Sequence, residues 1–385
     1  MKDTSLTETQ RRPTRHGGAR AMVEEMLEHA DIRVNGNRPW DIRIHDDRTI
    51  ERALGYGNLG LGEAYMDGWW DADSLDEFFY RLLSHGIAKR IQPLRLIFHA
   101  LRVRLLNLQS TRRSWQVGEA HYDIGNDLYQ AMLDRRMTYT CGYWAEAQTL
   151  EEAQEAKLDL ICRKLQLEPG MRMLDIGCGW GSLMQFAAER YGVECVGLTV
   201  SKEQAALGAE RCKGLPVEFR VQDYREFDEK FDRIASIGMF EHVGRKNHRV
   251  YMEMANRCLT DEGLFLLHTI GKLRTDSTPD AWIDKYIFPN GDLPSMAQIG
   301  AATEELFVIE DVHNFGADYD RTLMAWHANF EAAWPRLRHR YDHRFYRMWR
   351  YYLLSCAGAF RARDIQLWQI VMSKNGVPGG YRRPA

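Results

Sequence analysis

No run of about 18 apolar residues occurs anywhere in the 385-residue chain, so no membrane-spanning helix is expected. The N-terminus lacks the apolar core of an export signal, and residues 1–20, polar and carrying Arg11, Arg12, Arg15 and Arg20, read as a flexible tail. C-x-x-C pairs are also missing. Cys141, Cys162, Cys178, Cys195, Cys212, Cys258 and Cys356 are odd in number and lack metal-ligand spacing, which predicts reduced thiols, a cytoplasmic location and no structural metal. One long stretch has no acidic residue. Between Glu77 and Glu119 fall only Arg81, Lys89, Arg90, Arg95, Arg102, Arg104, Arg112 and Arg113, an imbalance that the overall charge of −3 conceals. Within it, Leu94, Ile97, Phe98, Leu101, Leu105 and Leu108 recur at helical spacing, while Arg95, His99 and Arg102 share another face. This is a basic amphipathic helix over residues 93–108, either packed on a core with a solvated face or docked on anionic lipid headgroups. Nucleic acid is not an expected partner, because no recognised reader motif accompanies the charge.

What is present is material for a large core, with 45% hydrophobic residues. Residues 21–113 read as mostly helical, with strand-like Ile32–Val34 and Ile42–Ile44 and a glycine-punctuated stretch from Gly55 to Gly68. A turn-rich connector over 114–148 holds Tyr122, Tyr129, Tyr139, Tyr143 and Trp144. Thr149-x-x-Glu152 is a capping box for a helix to about Leu167 and opens the last unit, 149–385, in which Pro169-Gly170 leads into a glycine-motif strand.

Leu174-Asp175-Ile176-Gly177-Cys178-Gly179-Trp180-Gly181 sets a glycine turn between a strand, Met171–Ile176, and a helix, Ser182–Tyr191, with apolar Leu183, Phe186, Ala187 and Tyr191. Glycine lets backbone approach a ligand, and a helix N-terminus presents free N–H groups. The spacing is G-x-G-x-G, with Ser182 where the dinucleotide fingerprint has its last glycine. Together with Asp175 two residues before the first glycine, this fits the S-adenosylmethionine (AdoMet) form of the corner.

Strands then alternate with helices: Glu194–Leu198, Val217–Val221, Phe231–Ile237 and Leu264–His268, with Ser201-x-x-Gln204 capping one helix and another over Arg249–Cys258. The pattern predicts an α/β fold with a doubly wound parallel sheet. Phe307–Val312 and Leu367–Met372 read as antiparallel end strands, with helices over 320–363 between them. Ligands in such sheets bind beyond the carboxyl ends of the strands. That selects Gly177, Gly179 and Gly181, then Thr199 and Ser201, then Asp223 and Tyr224, then Glu241 and His242, then His268. The second strand lacks a carboxylate for ribose hydroxyls, so Thr199 and Gln204 take that place. Asp223 is placed to accept from an adenine amino group, with Tyr224 stacking on the ring.

MTYTCGYW (137–144), LDIGCGWG (174–181), GMFEHVG (238–244), LLHTIG (266–271), KYIFPNG (285–291), NFGADYDRTLMAW (314–326) and AGAFRARDIQLWQ (357–369), with NLGLGEAYMDGWW (58–70), together resemble the cyclopropane-fatty-acyl-phospholipid synthases. The likeness extends over nearly everything after residue 25, and the long N-terminal region sides with the phospholipid-acting branch rather than the shorter mycolic-acid enzymes. The resemblance implies a Rossmann-like AdoMet methyltransferase sheet behind a smaller, mostly helical, lipid-interacting N-terminal domain over 21–113. The activity it implies is transfer of a methylene unit from AdoMet to a cis double bond in a membrane phospholipid. It further implies a bicarbonate base held by Cys141, Glu241, His268, the backbone at Ile270, and Tyr319. Tyr139 and Thr140 should contact the carboxylate end of AdoMet, and Cys356 matches a cysteine sometimes assigned as the active residue. A homodimer bound peripherally to the anionic inner face of the cell membrane is the implied setting. Two other readings differ in what they need. A methyltransferase for a soluble amine, hydroxyl or thiol needs neither an apolar tunnel nor a bicarbonate site. A non-enzymatic membrane-binding scaffold would have lost the AdoMet corner or the Glu241/His268 cluster, and both are intact.

Overall fold

A computed structural model describes residues 15–87, 125–275 and 280–384. The basic helix expected over 93–108 lies outside the described residues. Along the chain run α1 (Arg15–His29), β1 (Arg43–Ile44), α2 (Arg48–Tyr56), α3 (Asn58–Met66), β2 (Trp70–Asp71), α4 (Leu75–Ser84), α5 (Asn126–Met132) and α6 (Leu150–Lys164). Then come β3 (Arg172–Ile176), α7 (Ser182–Tyr191), β4 (Glu194–Thr199), α8 (Lys202–Arg211), β5 (Val217–Val221), β6 (Phe231–Ile237), α9 (His248–Cys258) and β7 (Leu259–Lys272). Finally there are α10 (Ala281–Tyr286), α11 (Met296–Thr303), β8 (Val308–Asn314), α12 (Asp318–Leu337), α13 (His343–Arg361) and β9 (Ile365–Ser373).

The large sheet has the order β5-β4-β3-β6-β7-β9-β8, parallel from β5 to β7 and antiparallel at β9 and β8. Its direction of growth reverses between β3 and β6, so a crevice opens at their carboxyl ends. The expected parallel sheet and antiparallel end strands are all present. The fifth strand is longer than its apolar run: it begins at Leu259, which pairs with Phe231 of β6, and continues to Lys272, because β9 supplies ladder partners as far as Ile365. The helix opened by the Thr149/Glu152 capping box stops at Lys164, short of the expected Leu167. Gln166 takes a left-handed φ of 50° and the N–H of Leu167 closes back onto the carbonyl of Cys162. At Ser201 only half of the expected capping box forms. The Ser201 hydroxyl accepts from the N–H of Gln204, but the Gln204 carbonyl is turned to the Thr199 hydroxyl.

The N-terminal region is built on a short sheet that pairs β1 with β2; Val34 contributes a single bridge to Ile42 rather than a strand. One apolar core runs from Leu27 and Phe78 in this region to Trp326, Trp349 and Leu367 in the C-terminal half. Arg347 on α13 fastens the two: its guanidinium donates to the carbonyls of Tyr65 and Trp70 and to Asp71, and stands 4.0 Å over the Tyr65 ring. No described helix is long and apolar enough to cross a membrane.

Candidate active site

β3 delivers the glycine corner to the crevice. Gly177, Gly179 and Gly181 all have positive φ, at 83°, 54° and 80°. A Cβ on Gly177 would meet the Met239 side chain at 2.7 Å and one on Gly181 would meet Phe219 at 2.4 Å, so packing demands these two. Gly179 differs. A Cβ there meets nothing within 4 Å and points into open space that a bound molecule can fill. That space is a cavity of about 800 Å³, walled by the glycine corner, Tyr139 and Thr140 from the connector, Glu241 and His242, and Tyr319 and Cys356 from α12 and α13.

Asp175, at the end of β3, is buried and its Oδ1 has no hydrogen-bond partner. Burial pushes its carboxyl up to about 7, against the opposing pull of Lys157. A carboxyl raised in this way contributes stability below its ordinary range near 3.8 and loses it as pH rises through about 7. The ligand-free Asp175→Asn variant, with no charge to bury, is therefore expected to gain melting temperature relative to the unmodified protein as pH rises from about 4 to about 7. Thermal melts across that range check this; a difference that does not change with pH overturns it.

Glu241 follows β6 in a single 3₁₀ turn, Phe240–His242. Its Oε1 accepts from the N–H of Ile270 at 2.6 Å, while Oε2 is buried without a partner. Burial pushes this carboxyl up to about 7, which makes it a proton acceptor near neutral pH. Tyr319, stacked on Phe360 at 4.3 Å, lies within electrostatic reach of Cys141, Glu241, Tyr139 and Cys356. The structure thus brings three of the expected catalytic positions, Cys141, Glu241 and Cys356, and the expected cofactor contact Tyr139 within reach of one hydroxyl.

His268 is buried on β7 and its tautomer follows from its neighbours. Lys164 can only donate, and its Nζ lies 2.8 Å from Oε1 of Gln369, which fixes the amide orientation. The amide nitrogen then donates to Nδ1 of His268 at 3.2 Å. Burial pushes the imidazole well below its ordinary range, so it is neutral, with its proton on Nε2, an atom without a partner. His268 stands behind the cavity wall, as does Cys141, whose thiol is pushed up by complete burial and donates to the carbonyl of Gly142. The Cys356 thiol, on the wall, is pushed up to about 12 by burial. Neither is a thiolate.

Other expected contacts fall elsewhere. Gln204 is on the wall, but Thr199 sits behind it and donates to the Gln204 carbonyl. The carboxylate of Asp223 accepts from the backbone and guanidinium of Arg225, and Tyr224 packs edge-on to Tyr251; neither reaches the cavity wall. Features unforeseen in the sequence complete the site. Phe79, Leu82 and Leu83 from α4, with Trp282, Phe288 and Tyr352, make an apolar half of the cavity, and the Tyr352 hydroxyl lies 2.8 Å from that of Tyr139. Lys157 is also on the wall. A signal for it existed: it falls on the buried stripe Leu150, Ala153, Gln154, Lys157, Leu158, Ile161 of α6, where a lysine is out of place.

The doubly wound sheet, with its glycine corner opening on a largely apolar cavity, defines an AdoMet-dependent methyltransferase. Comparison narrows the class. The chain belongs to the mycolic acid cyclopropane synthetase family, whose model matches residues 109–370. It is 54% identical over 362 residues to the cyclopropane-fatty-acyl-phospholipid synthase of Escherichia coli K12, covering 94% of each chain. The solved cyclopropane synthase MmaA2 from Mycobacterium tuberculosis matches with a TM-score of 0.64 and 33% identity, covering 68% of this chain and 98% of that one. Mycolic acid cyclopropane synthase CmaA1, complexed with SAH and CTAB, matches with a TM-score of 0.64 and 34% identity over the same shares.

Proposed function

We propose that the protein transfers a methylene unit from AdoMet to the cis double bond of an unsaturated acyl chain in a membrane phospholipid. The observation that carries this reading is the single cavity of about 800 Å³ that joins the open side of Gly179 to Glu241 and to an apolar half. The residues fit both groups the reaction calls for. Gly179 leaves room at the corner for AdoMet, which supplies an electrophilic methyl carbon on a sulfonium. Two buried unpartnered atoms, Oε2 of Glu241 and Nε2 of His268, fit a small oxyanion such as bicarbonate, which supplies a compact base.

An isolated alkene is a poor nucleophile, so Phe79, Leu82, Trp282 and Tyr352 have to hold the acyl chain in line with the donor and exclude water. The cation formed on the acyl chain must then lose a proton from the new methyl carbon. Aromatic faces of Phe288, Tyr352 and Phe360 stabilise such a cation by about 1–2 kcal/mol each in a dry site. In this reading His268 and the Tyr319 hydroxyl donate to the oxyanion, while Glu241 accepts from it and takes the proton onward. The Ile270 N–H acts through Glu241, whose Oε1 it holds, and Cys141 packs behind the wall. Tyr139 and Thr140 face the methionyl end of AdoMet and Gln204 the ribose. No thiolate step is needed, so Cys356 serves as packing. The enzyme works as a homodimer at the anionic inner face of the membrane; the acid-free basic stretch between Glu77 and Glu119 supports that docking.

Purified protein given AdoMet and vesicles of unsaturated phospholipid is expected to yield fatty acids heavier by one CH₂ and lacking the double bond, read by mass spectrometry. Methylation of soluble amines or thiols with untouched acyl chains would overturn this reading.

A further inference from the structure

Lys157 is a buried charge without an ion-pair partner among the described residues. Its side chain has no exposure to solvent, yet it borders the cavity beside the glycine corner. Its Nζ donates to the Thr140 hydroxyl at 2.9 Å. Two carboxyls act on it only through space. Asp134 is already taken up by the N–H groups of Arg136 and Thr138, at 3.0 and 2.7 Å. Asp175 presents Oδ1 to no donor among the described residues. Cys141, the remaining neighbour, is a neutral thiol. A charge removed from water in this way calls for a counter-charge, and the described residues supply none in contact.

Lysine only donates, so the Thr140 oxygen accepts and its own proton is left to point elsewhere. Thr140 is held in place while doing so. Its carbonyl accepts from Gln154 at 2.7 Å, and its methyl group lies where a Cβ on Gly238 would be, at 2.8 Å. The pair therefore offers an ammonium and a hydroxyl proton to one anion at the corner. Glu241 and Tyr319 are not among the groups acting on Lys157, whereas Cys141 and His268 lie within its electrostatic reach, so the AdoMet carboxylate and the second anion have to be told apart by experiment.

We propose that Lys157, with Thr140, holds the methionyl carboxylate of AdoMet and is the residue by which this site selects AdoMet over its decarboxylated form. The proposal rests on the reading of the glycine corner as an AdoMet site. A carboxylate between Lys157 and Thr140 would give the buried ammonium its missing partner, and Asp175 stands ready with the opposite charge for the adjacent methionyl ammonium.

Calorimetric titration of the full-length protein with AdoMet and with decarboxylated AdoMet tests it. Lys157→Met is expected to weaken AdoMet about 10- to 100-fold, the usual worth of a charge-assisted hydrogen bond, and to leave the decarboxylated analogue bound as by the unmodified protein. Equal loss of both ligands would make Lys157 a packing residue and overturn the proposal. Unchanged AdoMet affinity with an altered bicarbonate requirement for turnover would also overturn it, by assigning the charge to the other anion. Should Lys157→Met fail to fold, Thr140→Val with the same two ligands decides: selective loss of AdoMet supports the proposal and equal loss overturns it. Failure of the unmodified protein to bind AdoMet would sink the reading of the corner itself.

Discussion

Glu241→Gln is expected to lower turnover by about 10²-fold or more while AdoMet affinity stays nearly unchanged. The substitution keeps an oxygen for the Ile270 N–H, so the turn after β6 retains its anchor. What it removes is the second oxygen, buried and unpartnered, which becomes an amide nitrogen that cannot take a proton. The unmodified carboxyl sits at about 7, so turnover should rise with pH through that value as the accepting form appears, and the remnant activity of the variant should lose this limb. Turnover against pH, with calorimetric titration of AdoMet, measures both halves. Full turnover in the variant would remove Glu241 from the chemistry.

Gly179→Val is expected to abolish AdoMet binding in a protein that remains folded. Two effects add. A φ of 54° is costly for a β-branched residue, on the order of 1–3 kcal/mol. The new methyl groups also project into the open side of the corner, where no protein atom lies within 4 Å, so they displace ligand rather than clash with core. The same change at Gly181 would strike Phe219 and report on folding instead. Circular dichroism with calorimetry separates the outcomes; normal AdoMet binding by a folded Gly179→Val protein would mean the corner holds something else.

How legible a feature is in the sequence depends on the range over which it is encoded. Alternation of short apolar runs with helical periodicity made β3 to β6 legible to within a residue or so, because strand and helix periods are local. The Thr149/Glu152 box was legible for the same reason, since four residues, about one turn of helix, contain it whole. Where the partner is distant, reading failed in proportion. The local pattern marks only five residues of β7, because its flanks are strand by pairing at a distance: Leu259 with Phe231 of β6, and the segment up to Lys272 with β9, about a hundred residues on. Gln204 was read as half of a capping box because its competitor, the Thr199 hydroxyl, is brought close only by the turn out of β4. β2 was unseen, its two residues being a strand only by virtue of β1.

By itself the sequence determined the α/β class, the glycine corner and the position of Glu241, since strand-end placement follows from topology and topology from pattern; Tyr319, in the first turn of α12, was indicated only by the family resemblance. Tertiary structure alone decided three things. It set the His268 tautomer, because the direction of that proton is imposed by Gln369 and Lys164 on other elements. It withdrew Asp223 and Tyr224 from the wall, through Arg225 and Tyr251. And it turned α4 of the N-terminal region and Lys157 of α6 into walls of the cavity, because burial of a side chain is a property of what packs over it and not of the segment that carries it.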